Sequence, residues 1–367
     1  SRVNARQGRY RPLHLVERHG IAELPAIQAI DMRHAGPDPG QWLAPALVAA
    51  LDASLTAGDQ SLLFLNRRGY APLTLCRKCG ARYECPDCTA WLVEHRYRGQ
   101  LICHHCGFSM PTPKACFACG ESDQIVACGP GVERLGEEVT ARWPDARVQV
   151  LASDTLGGPA EARAAIERIE AGKTDIVVGT QLITKGYHFP RLTTVGVVDA
   201  DLGLKGGDLR AAERTYQQLV QVAGRAGRAD RHGSVFLQTY DPEHPVTQAL
   251  VTGDKDRFMA LEEQARAAAG MPPFGRLAGL VIEGPDLPSV TDAGQRLART
   301  APRVEGVAIY GPVPAPLARL RGRHRHRMLV KTTRTVSIQR LLRGWLSATK
   351  MPGQVRLKVD IDPMSFL

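Results

Sequence analysis

The chain lacks any run of about 18 or more uncharged apolar residues, so no transmembrane helix is predicted. Its first residues, SRVNARQGRYRPLHLVERHG, contain no apolar core, so no secretory signal peptide is predicted. There is no initiating Met, and the chain reads as a fragment or a processed product. No internal repeat or low-complexity run stands out. The sequence G-x-x-x-x-G-K-[ST] is also missing. Gly172-Lys173-Thr174 has its ending, but position 167 is Glu, and the local order is helix then strand instead of strand then helix.

What remains is ordinary globular composition. Of 367 residues, 44% are hydrophobic and 23% charged, which excludes a disordered chain and predicts roughly two to three domains. The formal net charge is +10, a balance that suits a polyanion partner without specifying one. The first residues are basic (Arg2, Arg6, Arg9, Arg11, Arg18), and GPDPG at 36–40 reads as a linker.

Cysteine usage is the sharpest signal. Eight of nine cysteines stand in four C-x-x-C pairs: Cys76/Cys79, Cys85/Cys88, Cys103/Cys106 and Cys116/Cys119. With no secretory signal, metal thiolates are favoured over disulfides. A tetrahedral site takes four sulfurs, and each C-x-x-C turn supplies two, so four pairs make two zinc sites. Glycine follows three of the pairs (Gly80, Gly107, Gly120) and eases the backbone round the metal. Spacing leaves the pairing of pairs open. A nested arrangement is favoured, Cys76, Cys79, Cys116 and Cys119 on one ion and Cys85, Cys88, Cys103 and Cys106 on the other. With every position taken by protein, both ions are structural and no free dithiol remains for redox work. Eight thiolates and two divalent ions would lower the net charge to about +6. His95, His104 and His105 are left for solvent or nucleic-acid contact, and Cys128 reads as a small apolar residue.

Around this insert the pattern alternates. Helices are predicted over 43–57, 158–172 and 208–227, and strands over 61–66, 148–154, 175–180, 194–201 and 234–240. That order argues for a parallel α/β sheet. From about residue 251 the texture changes to a small α+β domain with a mixed sheet.

Two segments point to phosphate chemistry. Gly179-Thr180 closes a strand at the end where α/β sheets bind ligands, with Lys185-Gly186 in the following loop. QVAGRAGR (221–228) reads as helical, with Arg225 and Arg228 on one face. An isolated R-x-x-R would be a solvated face. Beside a triphosphate, two guanidiniums stabilise developing charge. A third segment, 318–331, carries Arg319, Arg321, Arg323, Arg325 and Arg327 at period 2, which puts all five on one face of a strand. They read either as a charge-protected edge strand or as a surface for phosphate backbone or an acidic protein tail.

Taken in order, FLNRRGYAP, the eight-cysteine insert, GTQLITKGYHFP, VVDAD, QVAGRAGR, PPFGR, YGPVPAP and VDIDP resemble the PriA family of bacterial primosomal replication-restart DNA helicases, superfamily 2. QVAGRAGR by itself says only superfamily 2; the cysteine spacing singles out the family. The resemblance implies a RecA-like helicase lobe 2 with an inserted two-zinc cysteine-rich ribbon, plus a small α+β C-terminal domain. The implied division is 1–36 as the end of a first motor lobe or linker, 37–75 and 121–250 as lobe 2, 76–120 as the zinc insert, and 251–367 as a DNA- or partner-binding domain. It also implies nested zinc pairing, ATP with magnesium as cofactor, and 3′ to 5′ translocation on single-stranded DNA at stalled or branched forks. Gly179–His188 would couple DNA to nucleotide, and Gln221, Arg225 and Arg228 would reach the γ-phosphate. Asp199 and Asp201, ending a strand beside that cleft, are given a structural or interface role. Implied partners are DNA, single-stranded DNA-binding protein, primosome proteins and the replicative helicase, in a cytoplasmic monomer. The family's first motor lobe, with its P-loop and DEAH-like motif, is absent from these residues. The chain therefore reads as the C-terminal half, unable to hydrolyse ATP alone. The competing reading is a non-catalytic zinc-stabilised DNA-binding scaffold that nucleates primosome assembly.

Overall fold

A computed structural model describes residues 2–13, 25–38, 40–65, 73–76, 78–83, 85–86, 92–95, 100–103, 108–122, 125–128, 132–151, 158–180, 183, 187, 189–204, 209–227 and 232–364. In chain order, α1 (Arg2–Arg6), β1 (Ala26–Asp31), α2 (Pro45–Thr56) and β2 (Gln60–Phe64) come first. An insertion follows: β3 (Leu73–Cys76), β4 (Val93–His95), β5 (Gln100–Ile102), β6 (Ser109–Pro111) and β7 (Ile125–Cys128). The first module then resumes with α3 (Val132–Arg142), β8 (Val148–Leu151), α4 (Pro159–Glu170), β9 (Ile176–Gly179), β10 (Leu192–Val197), α5 (Ala211–Ala223), β11 (Ser234–Thr239) and α6 (Pro245–Thr252). The last module holds α7 (Lys255–Ala268), β12 (Gly275–Gly284), α8 (Leu287–Arg299), β13 (Val307–Leu320), β14 (Arg323–Thr333), α9 (Ile338–Ala348) and β15 (Arg356–Ile361). Among the described residues no helix is long and apolar enough to cross a membrane.

The first module is a six-stranded sheet of order β1-β11-β10-β2-β9-β8, parallel throughout. Both faces are covered, as such a sheet requires. Period 2 along β2 sends Leu62 and Phe64 into one core and Leu63 and Leu65 into the other. The first core also takes Ile166, Val197, Leu219 and Leu237; the second takes Leu47, Leu51, Leu135 and Val178. Helix ends follow local chemistry. Pro159 opens α4 and Gly172, in the left-handed region at φ +68°, follows its end. That places Gly172-Lys173-Thr174 at a helix terminus and not at a phosphate loop.

Two expectations change here. Ala26–Asp31, inside the stretch read as a lobe end or linker, is the sheet's edge strand, paired along its length with β11. Its AIQAID alternation is that of a half-buried strand, a weaker signal than the continuous apolar runs elsewhere. The last module's sheet is not mixed. Its order is β13-β14-β12-β15 and every pairing is antiparallel. Arg321 and Gly322 both have positive φ (49° and 78°), the two-residue turn that joins antiparallel neighbours. Helices α8 and α9 cover one face of this sheet through Val290, Leu297, Leu342 and Trp345. The module leans on α5: Tyr216 stacks on Phe258 with centroids 4.9 Å apart. Arg266 donates to the Leu209 carbonyl at 3.1 Å and pairs with Glu213 at 3.5 Å.

Gly196 tests the core. A Cβ there would stand 2.7 and 2.8 Å from the Leu47 methyls and 2.9 Å from Leu63. Gly196→Val is expected to cost about 1–3 kcal/mol by overpacking, read as a lowered denaturant midpoint with unchanged slope. A variant as stable as wild type would mean that α2 sits looser on the sheet than described.

Candidate metal centre and nucleotide-contact loops

The insertion leaves the sheet at the carboxyl end of β2 and forms its own antiparallel sheet, β6-β5-β4-β3-β7. Its turns share one backbone pattern. The Cys76 amide donates to the Ala81 carbonyl at 2.8 Å and the Gly80 amide to the Cys76 carbonyl at 2.8 Å. Likewise Cys116 donates to Glu121 at 2.8 Å and Gly120 to Cys116 at 2.9 Å, while Cys103 donates to Phe108 at 2.7 Å. The Cys76–Cys79 and Cys116–Cys119 turns each fold their cysteines towards one point. Gly80 and Gly120 are left-handed, at φ 73° and 71°.

Two of these knuckles meet. The thiols of Cys76, Cys79, Cys116 and Cys119 all lie within 4.8 Å of one another. The sulfur–sulfur distances Cys76–Cys119 and Cys79–Cys116 are both 3.7 Å. Four sulfurs at about 2.3 Å from a tetrahedral zinc would stand about 3.8 Å apart, so the donor set fits the ion in number, chemistry and spacing. Lys78 and Glu121 tie the two knuckles together at 2.8 Å. For the inner pairs, Cys85 and Cys103 share one small buried cluster with Tyr83, Leu92 and Leu101. Cys88, Cys106, His104 and His105 lie outside the described residues. His95 is on β4, and Cys128 is on β7, beside β3.

The bare thiols differ. Burial pushes the Cys76 thiol up and the Cys79 thiol up to about 12. Burial also opposes ionisation of Cys116, but the Cys119 and Ala118 amides and the neighbouring thiols outweigh it and lower this group to about 7. Cys116 is therefore readier than Cys76 or Cys79 to bind metal as thiolate.

The residues expected to contact nucleotide sit elsewhere. Gly179 ends β9, and a Cβ on it would stand 2.0 Å from the Ile183 methyl and 3.0 Å from the Leu151 carbonyl, so a larger residue would force Ile183 aside. The Thr180 amide donates to the Leu151 carbonyl at 3.2 Å. Lys185, Gly186, His188 and Arg228 lie outside the described residues. Arg225 is not on the helix: α5 ends at Ala223, and Gly224 and Gly227 release the chain into a turn. The Gly227 amide then donates to the Leu192 carbonyl at 2.9 Å, which draws the turn to the amino end of β10. There the Arg225 guanidinium donates to the Tyr187 carbonyl in the loop after Gly179. Gln221 is exposed on the last turn of α5. Two expectations are thereby corrected. Arg225 stands past the end of α5 and not on a helical face. Asp199 and Asp201, at the carboxyl end of β10, lie about 20 Å of strand away from Arg225, not beside it.

Asp201 is fully buried. It accepts from the Tyr240 amide at 2.7 Å and from the Thr239 hydroxyl, and is ion-paired with Arg82 of the insertion. Asp199 accepts from the Asp201 and Leu202 amides at 3.1 and 3.0 Å. Burial, then the Asp201 charge, push its carboxyl up to about 6. Sequence reading gave these aspartates an interface role but missed Arg82. The only available signal was a basic residue just past a C-x-x-C-G turn.

The arginine series does not form one face. Arg319 is on β13, exposed, opposite His324, and Arg321 is in the turn. Arg323, Arg325 and Arg327 alternate along β14, which is an interior strand, so the edge-strand reading falls. Arg325 faces Glu283 across the register, and Arg323 donates to the Glu283 carbonyl at 3.3 Å. Arg327 is buried opposite Val281. A hydrogen bond from Lys358, then the charges of Lys358, Arg323 and Arg325, hold the Glu283 carboxyl below its ordinary range.

Three family models match the chain: the "Helicase conserved C-terminal domain" over 119–230, the "PriA DNA helicase Cys-rich region (CRR) domain" over 85–111, and the "Primosomal protein N C-terminal domain" over 267–364. Replication restart protein PriA of Rickettsia conorii is 41% identical over 363 residues, 99% of this chain and 56% of that protein. Its counterpart in Bacillus subtilis is 33% identical over 99% of this chain and 46% of its own length. A crystal structure of the Pyrococcus furiosus Hef helicase domain matches 57% of this chain and 27% of that one, at 10% identity and a TM-score of 0.26, too slight a likeness to argue from. Fold and thiol cluster together define a RecA-like helicase carboxyl-terminal lobe with an inserted cysteine-rich zinc ribbon. The chain belongs to the PriA family of replication-restart proteins. It spans about half the length of the curated relatives it matches.

Because the Cys79 and Cys76 thiols are held protonated at neutral pH, metal binding must displace their protons, and acid competes with it. Zinc affinity, measured against a chromophoric chelator, is expected to fall at least about 100-fold between pH 8 and pH 6. A pH-independent affinity would remove these thiols as ligands.

Proposed function

We propose that this chain supplies the second motor lobe, the zinc module and the C-terminal domain of an ATP-dependent 3′ to 5′ DNA helicase that acts at stalled or branched forks to restart replication. The observation that carries the reading is the Arg225–Tyr187 hydrogen bond. It ties the QVAGRAGR turn to the loop that follows Gly179, so movement of one loop by DNA shifts a guanidinium in the other. Arg225, Arg228 and Gln221 would address the γ-phosphate of ATP held by a P-loop lobe, where a guanidinium stabilises transferring charge. Gly179, Thr180, Lys185 and Gly186 would couple that site to single-stranded DNA. ATP with magnesium supplies the phosphoryl chemistry when bound.

Two structural zinc ions complete the reading, one on Cys76, Cys79, Cys116 and Cys119 and one on Cys85, Cys88, Cys103 and Cys106. Cys88 and Cys106 enter on spacing. Arg319, Arg321, Arg323, Arg325 and Arg327 would meet phosphate backbone or the acidic tail of single-stranded DNA-binding protein. Primosome proteins and the replicative helicase are the further partners, and the working form is a cytoplasmic monomer.

The chain alone is expected to show no DNA-stimulated ATP hydrolysis, since no P-loop occurs in its residues. Joined to a P-loop lobe, Arg225→Ala should lower kcat by about 1000-fold or more. Turnover by the chain alone would overturn the division of labour. Unchanged turnover in the joined variant would leave a DNA-binding scaffold in which the motor lobe survives as a fold. DNA binding by the C-terminal arginines is separable: Arg323→Ala with Arg325→Ala should flatten the log affinity–log salt slope by roughly two units. An unchanged slope would remove them from the DNA surface.

A further inference from the structure

The two outer knuckles are built alike but placed differently. In each, the first cysteine's amide meets the carbonyl five residues on, and the glycine's amide returns to that cysteine's carbonyl. In each, a bridge closes the turn, Leu75 with Arg82 and Ala115 with Ser122. Arg82 and Ser122 therefore hold equivalent positions. Around them everything differs. Gly120 has open space where a Cβ would be, and Phe117 beside it is 68% exposed. Gly80 is pressed on the motor lobe: a Cβ would stand 2.8 Å from the Tyr240 ring. Two residues further on, the Arg82 side chain is 10% exposed and paired with Asp201, which is 0% exposed. The same carboxylate takes the Tyr240 amide and the Thr239 hydroxyl, so it laces the carboxyl ends of β10 and β11.

A buried carboxylate without its cation is strongly destabilising, whereas a paired and hydrogen-bonded one is tolerated. Arg82 reaches Asp201 because the Cys76–Cys79 turn sets its backbone. We infer that Arg82 is a positioning residue that pins the first thiolate knuckle to the motor lobe, so that metal held by Cys76, Cys79, Cys116 and Cys119 keeps the strand ends around Asp201 ordered. The second knuckle, with Phe117 exposed, carries no such pin among the described residues. The inference rests on the metal reading above. A chain that binds no zinc sinks that reading, while the effect of altering Arg82 still reports on the pin.

Amide hydrogen exchange on the full 367-residue chain tests it, with released zinc followed colorimetrically. Stripping the metal with a tight chelator is expected to speed exchange at Asp201, Leu202 and Tyr240 by at least about tenfold, with β12 and β14 as unaffected references. Arg82→Met should do the same while keeping its zinc, and should lower the thermal midpoint by on the order of 10 °C. Chelating the Arg82→Met chain should then add nothing at those amides, because the pin is already broken. Arg82→Lys should restore part of the protection, and Ser122→Ala should change none. Exchange at Asp201 and Tyr240 that ignores chelation would overturn the inference, and so would a full additional effect of chelation in Arg82→Met. Chelation of the unaltered chain keeps the test open if Arg82→Met fails to fold.

Discussion

A parallel sheet buried on both faces is the constraint from which the rest of this molecule follows. Its strands carry apolar residues on either side, and helices must cover both. Polar chemistry is thereby driven to the strand ends, where backbone groups and loops meet solvent. Gly179 and Thr180 occupy the carboxyl end of β9, and Asp201 and Tyr240 the carboxyl ends of β10 and β11. The turn after α5 takes the other end, because two glycines let it fold back to Leu192. One sheet thus presents two separated polar edges, one beside the thiolate module and one carrying Arg225.

The insertion faces a different problem. Its strands are only three or four residues long, and its apolar cluster is a handful of side chains. A core that small cannot offset chain entropy without help, and a metal supplies it. The bond pattern shared by its turns brings cysteines to a point, and four thiols reach tetrahedral spacing. Contact with the lobe combines Leu75 in the lobe's core, Gly80 against Tyr240 and a desolvated ion pair, which is worth little over an apolar contact but is costly to break on one side. Such a joint holds a small module in a single pose.

Charge is handled otherwise in the last module. An antiparallel sheet covered by helices on one face leaves the other open to polar residues. Arg323, Arg325 and Lys358 gather there round Glu283, whose carboxylate offsets part of their repulsion. The arginines are thus neither a bare edge nor a uniform stripe. Helix α7 carries this module onto α5, the helix that leads to Arg225, through Tyr216, Phe258 and Arg266.

Local regularities were legible in the residues themselves. Period-2 and continuous apolar runs marked the strands of the motor lobe, Pro and Gly marked the ends of α4, and C-x-x-C spacing marked the thiolate knuckles. These signals act over a few residues, and backbone geometry alone turns them into structure. The weak edge strand β1, the helices α3 and α6 and the α5 terminus escaped; alternation in AIQAID is faint and GRAG reads equally as helix or turn. Strand partnership was not legible. Whether an arginine lies on an edge or an interior strand depends on which strand comes to lie beside it, here β12 from some forty residues away along the chain. The Arg82–Asp201 pair joins residues 119 positions apart. Neither partner carries a local mark of the other, because a buried charge finds its counter-ion through packing in three dimensions. The sequence by itself therefore determined most of the motor-lobe strands, the thiolate chemistry and the kinship. Tertiary structure alone decided which charges meet, which knuckle docks, and on which edge of the sheet Arg225 stands.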